Sequence, residues 1–422
     1  MKLFAVTGNP IAFSKSPNIF NTFFKINSDN AKYFRLLAET AKEAITVFNE
    51  LELSGMSVTA PFKTDIIQYL DEVDDIAKNI GSVNTIIRKN NKLIGYNTDY
   101  NGIINSLANV KDKNILLLGA GGAAKAVAFS LKQNGANITI VNRTRKKAQE
   151  LAEKFNILQK NISDIESIID TTDIIINTIP NGVKLIKDEW LNSKHIIFDA
   201  IYNNSVYKEV SKQKSIAFID GKKWLLNQAI PAYKLFINKD IEVNSSAINF
   251  ESKPKDKIIL VGFMGSGKST IAEKLSEKLN IKHFSTDVVI TVREGLSINE
   301  IFEKHGEQYF RDAEEQILNM LCSMAGKGII STGGGVVLSE KNRSIIDENY
   351  KSIWLYANTQ TIMNRTKPEN RPLLKDNFTE KRISELMNER KNYYTQSADL
   401  LINTSNKTID EVVEILLSLD LL

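Results

Sequence analysis

Short β-branched apolar runs alternate along this chain with longer stretches whose apolar residues recur at helical spacing. The runs include KLFAVTG at 2–8, NILLLGA at 114–120, NITIVNR at 137–143, DIIINTI at 173–179 and HIIFDAI at 195–201. Amphipathic segments such as AAKAVAFSLKQNG (123–135) and KKAQELAEKF (146–155) lie between them. That alternation predicts an α/β chain in which helices cover largely parallel sheets. Between 238 and 256 the apolar period is lost and Asn, Ser, Lys and Pro254 collect, which marks a linker. The alternation restarts with KIILVG at 257–262. We therefore expect an α/β domain over 1–102, a second over 103–220 and a third over 257–422, with 238–256 a flexible tether. GKKWLLNQAIPAYKLFI at 221–237 reads as a helix that packs back onto the first domain.

Composition bounds the class without naming the chemistry. A chain of 422 residues has room for two or three domains, and 42% hydrophobic with 25% charged residues is ordinary for a globular protein. The net charge of +4 is small, and no basic stripe interleaved with aromatics suggests nucleic-acid binding. Cys322 is the single cysteine, so no intramolecular disulfide forms and a cytoplasmic location is expected. His195, His283 and His305 are far apart and no HxxxH or CxxC spacing occurs, which argues against a structural zinc site. MKLFAVTGNP reads as a buried first strand rather than a signal peptide, and no apolar run is long enough to predict a membrane span. Oligomeric state is left open.

Two glycine-rich turns carry the candidate chemistry. In LLLGAGGAAKA (116–126), Gly119, Gly121 and Ala124 match G-x-G-x-x-G/A between an apolar strand and a helix. The first glycine permits the tight turn, the second lets a pyrophosphate approach, and the helix start offers free N–H groups and a positive dipole end. Gly122 and Ala123 complete the turn. At the end of the next strand, where an NAD-selecting fold presents an acidic residue, this chain has NRTRKK (142–147). Arg143 suits the 2′-phosphate of NADP(H) through a forked, charge-assisted grip, with Asn142 and Thr144 as hydrogen-bonding neighbours.

Around that turn the first half resembles the shikimate dehydrogenase family over residues 3–237. The matching blocks are GNPIAFSKSPNIFN (8–21), SVTAPFK (57–63), GSVNT (81–85), GYNTDYNG (95–102), GAGGAA, NRT and LNQA (226–229). The resemblance implies Lys63 and Asp99 as catalytic pair, Ser14 and Ser16 on a substrate carboxylate, and Thr59, Asn84 and Gln228 on ring hydroxyls. A lysine kept charged by a carboxylate is a suitable proton donor to the alkoxide formed when hydride reduces a ketone. Departures occur where the family usually has His (Phe20), Asn (Ser57) and Pro (Asn204).

The second turn, VGFMGSGKST (261–270), satisfies G-x-x-x-x-G-K-[ST] through Gly262, Gly267, Lys268 and Ser269, after one strand and opening a helix. Backbone N–H groups of Gly262, Gly265, Ser266, Gly267 and Thr270 would wrap the phosphates of ATP, Lys268 would reach the β and γ groups, and the Ser269 hydroxyl would ligate Mg²⁺. Downstream, the chain resembles shikimate kinase over 256–420. The blocks are STDVVI (285–290), IFEKHGEQYFRDAEE (301–315), STGGGVV (331–337), RPLL (371–374) and ERKNYY (389–394). By that resemblance Arg311 and Arg390 grip the substrate acid, Glu314 orients Arg311, Asp287 takes or positions the hydroxyl proton, and Gly333, Gly334 and Gly335 let the backbone approach the ring. Arg371 sits on a lid over the γ-phosphate, and Arg365 lies against the adenine. Ser285 stands where the family has the first Asp of a D-x-D pair, which predicts weakened Mg²⁺ affinity.

Together these resemblances imply a bifunctional enzyme of aromatic amino acid (chorismate) biosynthesis: NADPH-dependent reduction of 3-dehydroshikimate to shikimate, then ATP-dependent phosphorylation to shikimate 3-phosphate. Two rival readings stay open. One is a metabolite-sensing regulatory protein with a weakened kinase half, to which Ser285 lends some room. The other is a quinate/shikimate dehydrogenase fused to another small-molecule kinase, against which NRTRKK and the arginines with the GGG run both count.

Overall fold

The structure is a computed structural model. It describes residues 1–107, 109–179, 182–202, 205–243, 245–250, 255–324, 326–366, 373–374, 377–419 and 421. The chain divides into two compact units. One comprises Met1–Pro17, Asn30–Leu53 and Phe250–Leu422, the other Asn18–Asp29 and Ser54–Asn249. The last division, at 249/250, falls inside the stretch read as a linker, but 30–53 join the C-terminal region rather than the segments that flank them.

In the unit containing the C-terminal region, strands run in the order Lys282–Ser285, Gly328–Ser331, Lys257–Val261, Lys351–Tyr356, Leu400–Asn403, Ala31–Leu37 and Lys2–Gly8. Neighbours pair in parallel throughout this series. Parallel strands are covered on both faces, so they read as unbroken apolar runs; KIILV is buried from its second residue onward. The strand Lys257–Val261 ends at the second glycine turn and passes to the helix Lys268–Leu279, which packs beside the helix Ile409–Ser418.

In the other unit a six-stranded parallel sheet has the order Ala217–Asp220, Ile196–Asp199, Ile174–Asn177, Asn114–Leu118, Asn137–Val141 and Leu158–Gln159. The strand Asn114–Leu118 has the chain's next strand on one side and a later one on the other. It thus ends at the topological switch point where α/β sheets bind ligands. The helix Gly122–Gln133 follows it directly. Leu116 and Leu118 face one apolar core and Ile115 and Leu117 the other, the two-sided burial that a doubly wound sheet demands.

Next to it in sequence, Gly55–Val58, Thr85–Lys89 and Lys92–Tyr96 form an antiparallel set. The helix Gly221–Ile237 packs on the helix Asp99–Ser106 and on the strand Thr85–Lys89. Phe20 explains one departure from family habit. Its ring is fully buried among Phe23, Phe24 and Phe236, so the position is filled by an aromatic core.

Candidate functional site

The chemistry of the first site begins with a buried ion pair. Lys63 Nζ lies 2.6 Å from Asp99 Oδ2, with side chains only 15% and 8% exposed. Asp99 opens the helix Asp99–Ser106. The contact fixes the position of Lys63 Nζ. Beside Asp99 a polar network forms. Asn84 Nδ2 donates to Thr98 Oγ1 (3.1 Å) and Gln228 Oε1 (3.4 Å), and Asn84 Oδ1 accepts from the Thr98 backbone N–H at 2.8 Å. The Ser57 hydroxyl is buried with no hydrogen-bond partner among the described residues, so it has bonding capacity to offer a ligand. Ser14 and Ser16 belong to the other compact unit, their hydroxyls 3.4 Å apart. Asn204 lies outside the described residues.

The first glycine turn meets Lys63 directly. A Cβ placed on Gly122 would come within 3.3 Å of the Lys63 side chain, whereas one on Gly119, whose φ is +108°, would collide with the Thr178 hydroxyl. The N-cap position, Gly121, has no side chain to cap the helix, which leaves the first N–H groups for a ligand. Thr59, Lys63, Gly121, Gly122 and Ala123 all line one open cleft of about 670 Å³. Lys125, Lys147 and Lys154 line it too, outnumbering its acids Asp65 and Glu150. Burial, reinforced by Lys125, pulls the Lys154 ammonium below its ordinary pKa, and its Nζ donates to the Ile80 carbonyl at 3.1 Å. Asn142 donates to the Thr144 carbonyl at 3.0 Å, and Arg143 is exposed. Sequence reading missed Thr98 and Lys125, although both lie inside quoted stretches, and Lys154, which no local motif marks.

The second site gathers around Gly333. A Cβ there would sit 2.6 Å from Glu314 Oε1 and 2.7 Å from Asp287 Oδ1, so only glycine lets the chain pass these two carboxylates. Its N–H donates to Thr286 Oγ1 at 3.0 Å. The helix carrying Arg311 and Glu314 breaks at Gly306 and resumes, placing the two residues one turn apart. Arg311 donates to Glu314 (3.0 Å) and to Glu307 (2.8 Å). Arg390 Nη1 and the Tyr394 hydroxyl both donate to the Gly334 carbonyl, at 3.3 and 2.5 Å. Burial holds the Tyr394 phenol well above its ordinary pKa, so it remains a donor. Tyr394 and Thr286 were not identified from the sequence, although both lie inside matched blocks.

Gly262, Gly265 and Gly267 all have positive φ, and Lys268 begins the following helix with its side chain buried. The Ser266 hydroxyl is buried without a partner among the described residues, as expected where a phosphate would complete the cradle. Ser269 and Thr270 are exposed at the helix start. Ser285 caps the helix Thr286–Glu294, its Oγ accepting from Val288 N at 3.4 Å. Arg365 donates to the carbonyls of Thr404 (2.9 Å) and Lys407 (2.8 Å). Arg371 lies outside the described residues. Among those described, no cluster of three or more His, Cys, Asp or Glu could hold a metal, and no helix is long and apolar enough to cross a membrane.

Comparison with known proteins bears on both sites. The shikimate dehydrogenase substrate-binding model matches residues 6–86, the shikimate/quinate 5-dehydrogenase model 103–217, and the shikimate kinase model 264–420. The NADP(+) shikimate dehydrogenase of Aquifex aeolicus is 38% identical over 246 residues, 56% of this chain and 91% of that protein. The one from Methanosphaera stadtmanae is 40% identical over 256 residues, covering 56% and 90%. The crystal structure of the Thermus thermophilus enzyme with NADP(H) and shikimate aligns with a TM-score of 0.54 at 26% identity, over 59% of this chain and 97% of that one. A doubly wound nucleotide-binding enzyme followed by a P-loop kinase is thus the class. The chain belongs to the shikimate dehydrogenase family and carries a shikimate kinase domain C-terminal to it.

Glu314 provides a test that needs no substrate. Complete burial pushes its carboxyl from 4.5 to about 7; Arg311 opposes the rise and Asp287 adds to it. A carboxyl whose folded pKa is raised loses stabilisation as pH climbs from the unfolded value to the folded one, because the unfolded chain ionises first. Relative to Glu314→Gln, the wild-type unfolding midpoint should therefore fall between about pH 5 and pH 8. A gap that does not change with pH would contradict the assignment.

Proposed function

We propose that this chain reduces 3-dehydroshikimate with NADPH and phosphorylates the resulting shikimate with ATP, using the two sites described. The Lys63–Asp99 pair beside Gly122 is the observation that carries the reading. It puts a proton donor where a glycine cradle opens, the arrangement that carbonyl reduction requires. NADPH, when bound, supplies the hydride, and ATP with Mg²⁺ supplies the phosphoryl group. Gly119, Gly121, Gly122 and Ala123 would hold the pyrophosphate, while Asn142, Arg143 and Thr144 would select the 2′-phosphate. Lys63 gives a proton to the ketone oxygen as it gains charge, and Asp99 holds that lysine in place. Asn84, Thr98 and Gln228 form a preorganised network for ring hydroxyls, with Thr59 beside them. Ser14 and Ser16 are assigned to the carboxylate by family resemblance alone.

In the kinase site Gly262, Gly265, Ser266, Gly267, Lys268 and Thr270 receive the phosphates, and Arg365 flanks the base. Arg311, fixed by Glu314 and Glu307, and Arg390, fixed on Gly334, hold the substrate acid. Asp287 positions the attacking hydroxyl against the run Gly333–Gly335. Arg371 belongs, by family resemblance, over the transferred phosphoryl. The exposed Ser269 hydroxyl is a hard oxygen donor that fits Mg²⁺, an ion that otherwise draws on phosphate and water. The work proposed for both sites requires no membrane or nucleic acid. No observation favours a sensor without catalysis.

Lys63→Ala should lower the rate of NADPH oxidation by roughly 10²–10⁴-fold while leaving ATP-dependent phosphorylation of shikimate intact. Lys268→Ala should do the converse. Loss of both activities in either variant, or of neither, would contradict the division of labour. Ser285→Asp keeps a good N-cap and adds only charge, so the Mg²⁺ concentration giving half-maximal kinase rate should fall. An unchanged Mg²⁺ dependence would show that the residue plays no part in metal use.

A further inference from the structure

The compact unit that carries the P-loop also contains residues 30–53, which fall within the stretch 6–86 matched by the dehydrogenase substrate-binding model. The strand Ala31–Leu37 extends the kinase sheet. Its Arg35, Leu36 and Leu37 pair in parallel with Leu400, Leu401 and Ile402. The helix that follows, Ala41–Glu50, lays an acidic edge along kinase residues. Glu43 Oε1 lies 2.5 Å from Lys407 Nζ and accepts from Asn403 Nδ2 at 3.0 Å. Glu39 adds a second contact to Lys407 at 3.2 Å, Glu50 accepts from the Tyr356 hydroxyl at 2.9 Å, and Glu52 pairs with Lys391 at 2.7 Å.

What Glu39 and Glu43 hold is the turn assigned above to the nucleotide end of the kinase site. Arg365 rests on the carbonyls of Thr404 and Lys407. Asn403, bonded to Glu43, also accepts from Ser405 N at 3.0 Å, and Ser405 Oγ accepts from Asn358 N at 3.0 Å. Ile409, just past the turn, stands 3.3 Å from where a Cβ would lie on Gly267 of the P-loop. Lys407 and Glu43 are 12% and 14% exposed, so the pair is sheltered from water and loses little to screening. Glu43 is itself fixed, because its other oxygen accepts from Glu39 N at 2.8 Å.

We propose that Glu43, a residue of the dehydrogenase substrate-binding segment, is a positioning residue of the kinase. Through Lys407 and Asn403 it fixes the 403–407 turn on which Arg365 rests, and so sets affinity for the nucleotide. The inference rests on the kinase reading above and extends it: one enzyme's helix is a working part of the other's site.

The test is a double-mutant cycle in the full-length chain, reading both activities. Glu43→Gln and Lys407→Gln should each raise the kinase KM for MgATP about tenfold, since each removes a sheltered contact that orders the 403–407 turn. Both should leave kcat nearly unchanged and NADPH oxidation intact. The double variant should be no worse than either single, and the swap Glu43→Lys with Lys407→Glu should recover part of the loss. Unchanged KM in both singles, additive losses, or an equal fall in the dehydrogenase would overturn the proposal. Wild-type protein in the same assay separates the two readings: if it phosphorylates shikimate and the variants match it, this inference alone fails, and if it does not, the kinase reading fails.

Discussion

Backbone N–H groups at the start of a helix have no partner within it, and both sites of this protein depend on where those groups are delivered. Parallel strands buried on two faces end together at one edge of a sheet. A glycine turn there hands the chain to a helix whose first donors point outward. Asn114–Leu118 followed by Gly122–Gln133, and Lys257–Val261 followed by Lys268–Leu279, are two instances of one device. Neither helix has a side chain capping its start, which is what an anion-binding end requires.

The side chains near each turn divide the chemistry. Close to the first, one sheltered ion pair sets a lysine against a carboxylate. Close to the second, carboxylates and guanidinium groups crowd around glycine, and Glu314 becomes hard to ionise because water is excluded. Both arrangements gain directional strength from burial and would be weak on the surface. The same backbone device can therefore serve hydride transfer in one place and phosphoryl transfer in the other.

Much of this was legible in the sequence. Apolar runs gave the strands, the helix at 221–237 has the bounds its pattern predicts, and glycine spacing located both turns. Lys63 and Asp99, thirty-six positions apart, could be paired only through family resemblance, since no periodicity joins them. Phe20 read as a lost polar group and is a core aromatic, because its neighbour Phe236 comes from a distant helix. The association of 30–53 with 250–422 was invisible to local pattern: a strand edge and a row of acids look like ordinary solvated surface until a remote partner, Lys407 or Lys391, is placed against them.

Shared structure gives the fusion a physical content beyond co-production, since residues matched to one enzyme help build the unit that carries the other. On the proposed reading, one polypeptide performs two consecutive steps on one ring acid. Supplying the purified chain with 3-dehydroshikimate, NADPH and MgATP, and following products by ³¹P NMR and absorbance, tests it most directly. Shikimate 3-phosphate should accumulate, with one NADP⁺ and one ADP formed for each molecule. Reduced cofactor that stays unoxidised, or shikimate that collects unphosphorylated while ATP persists, would contradict the account.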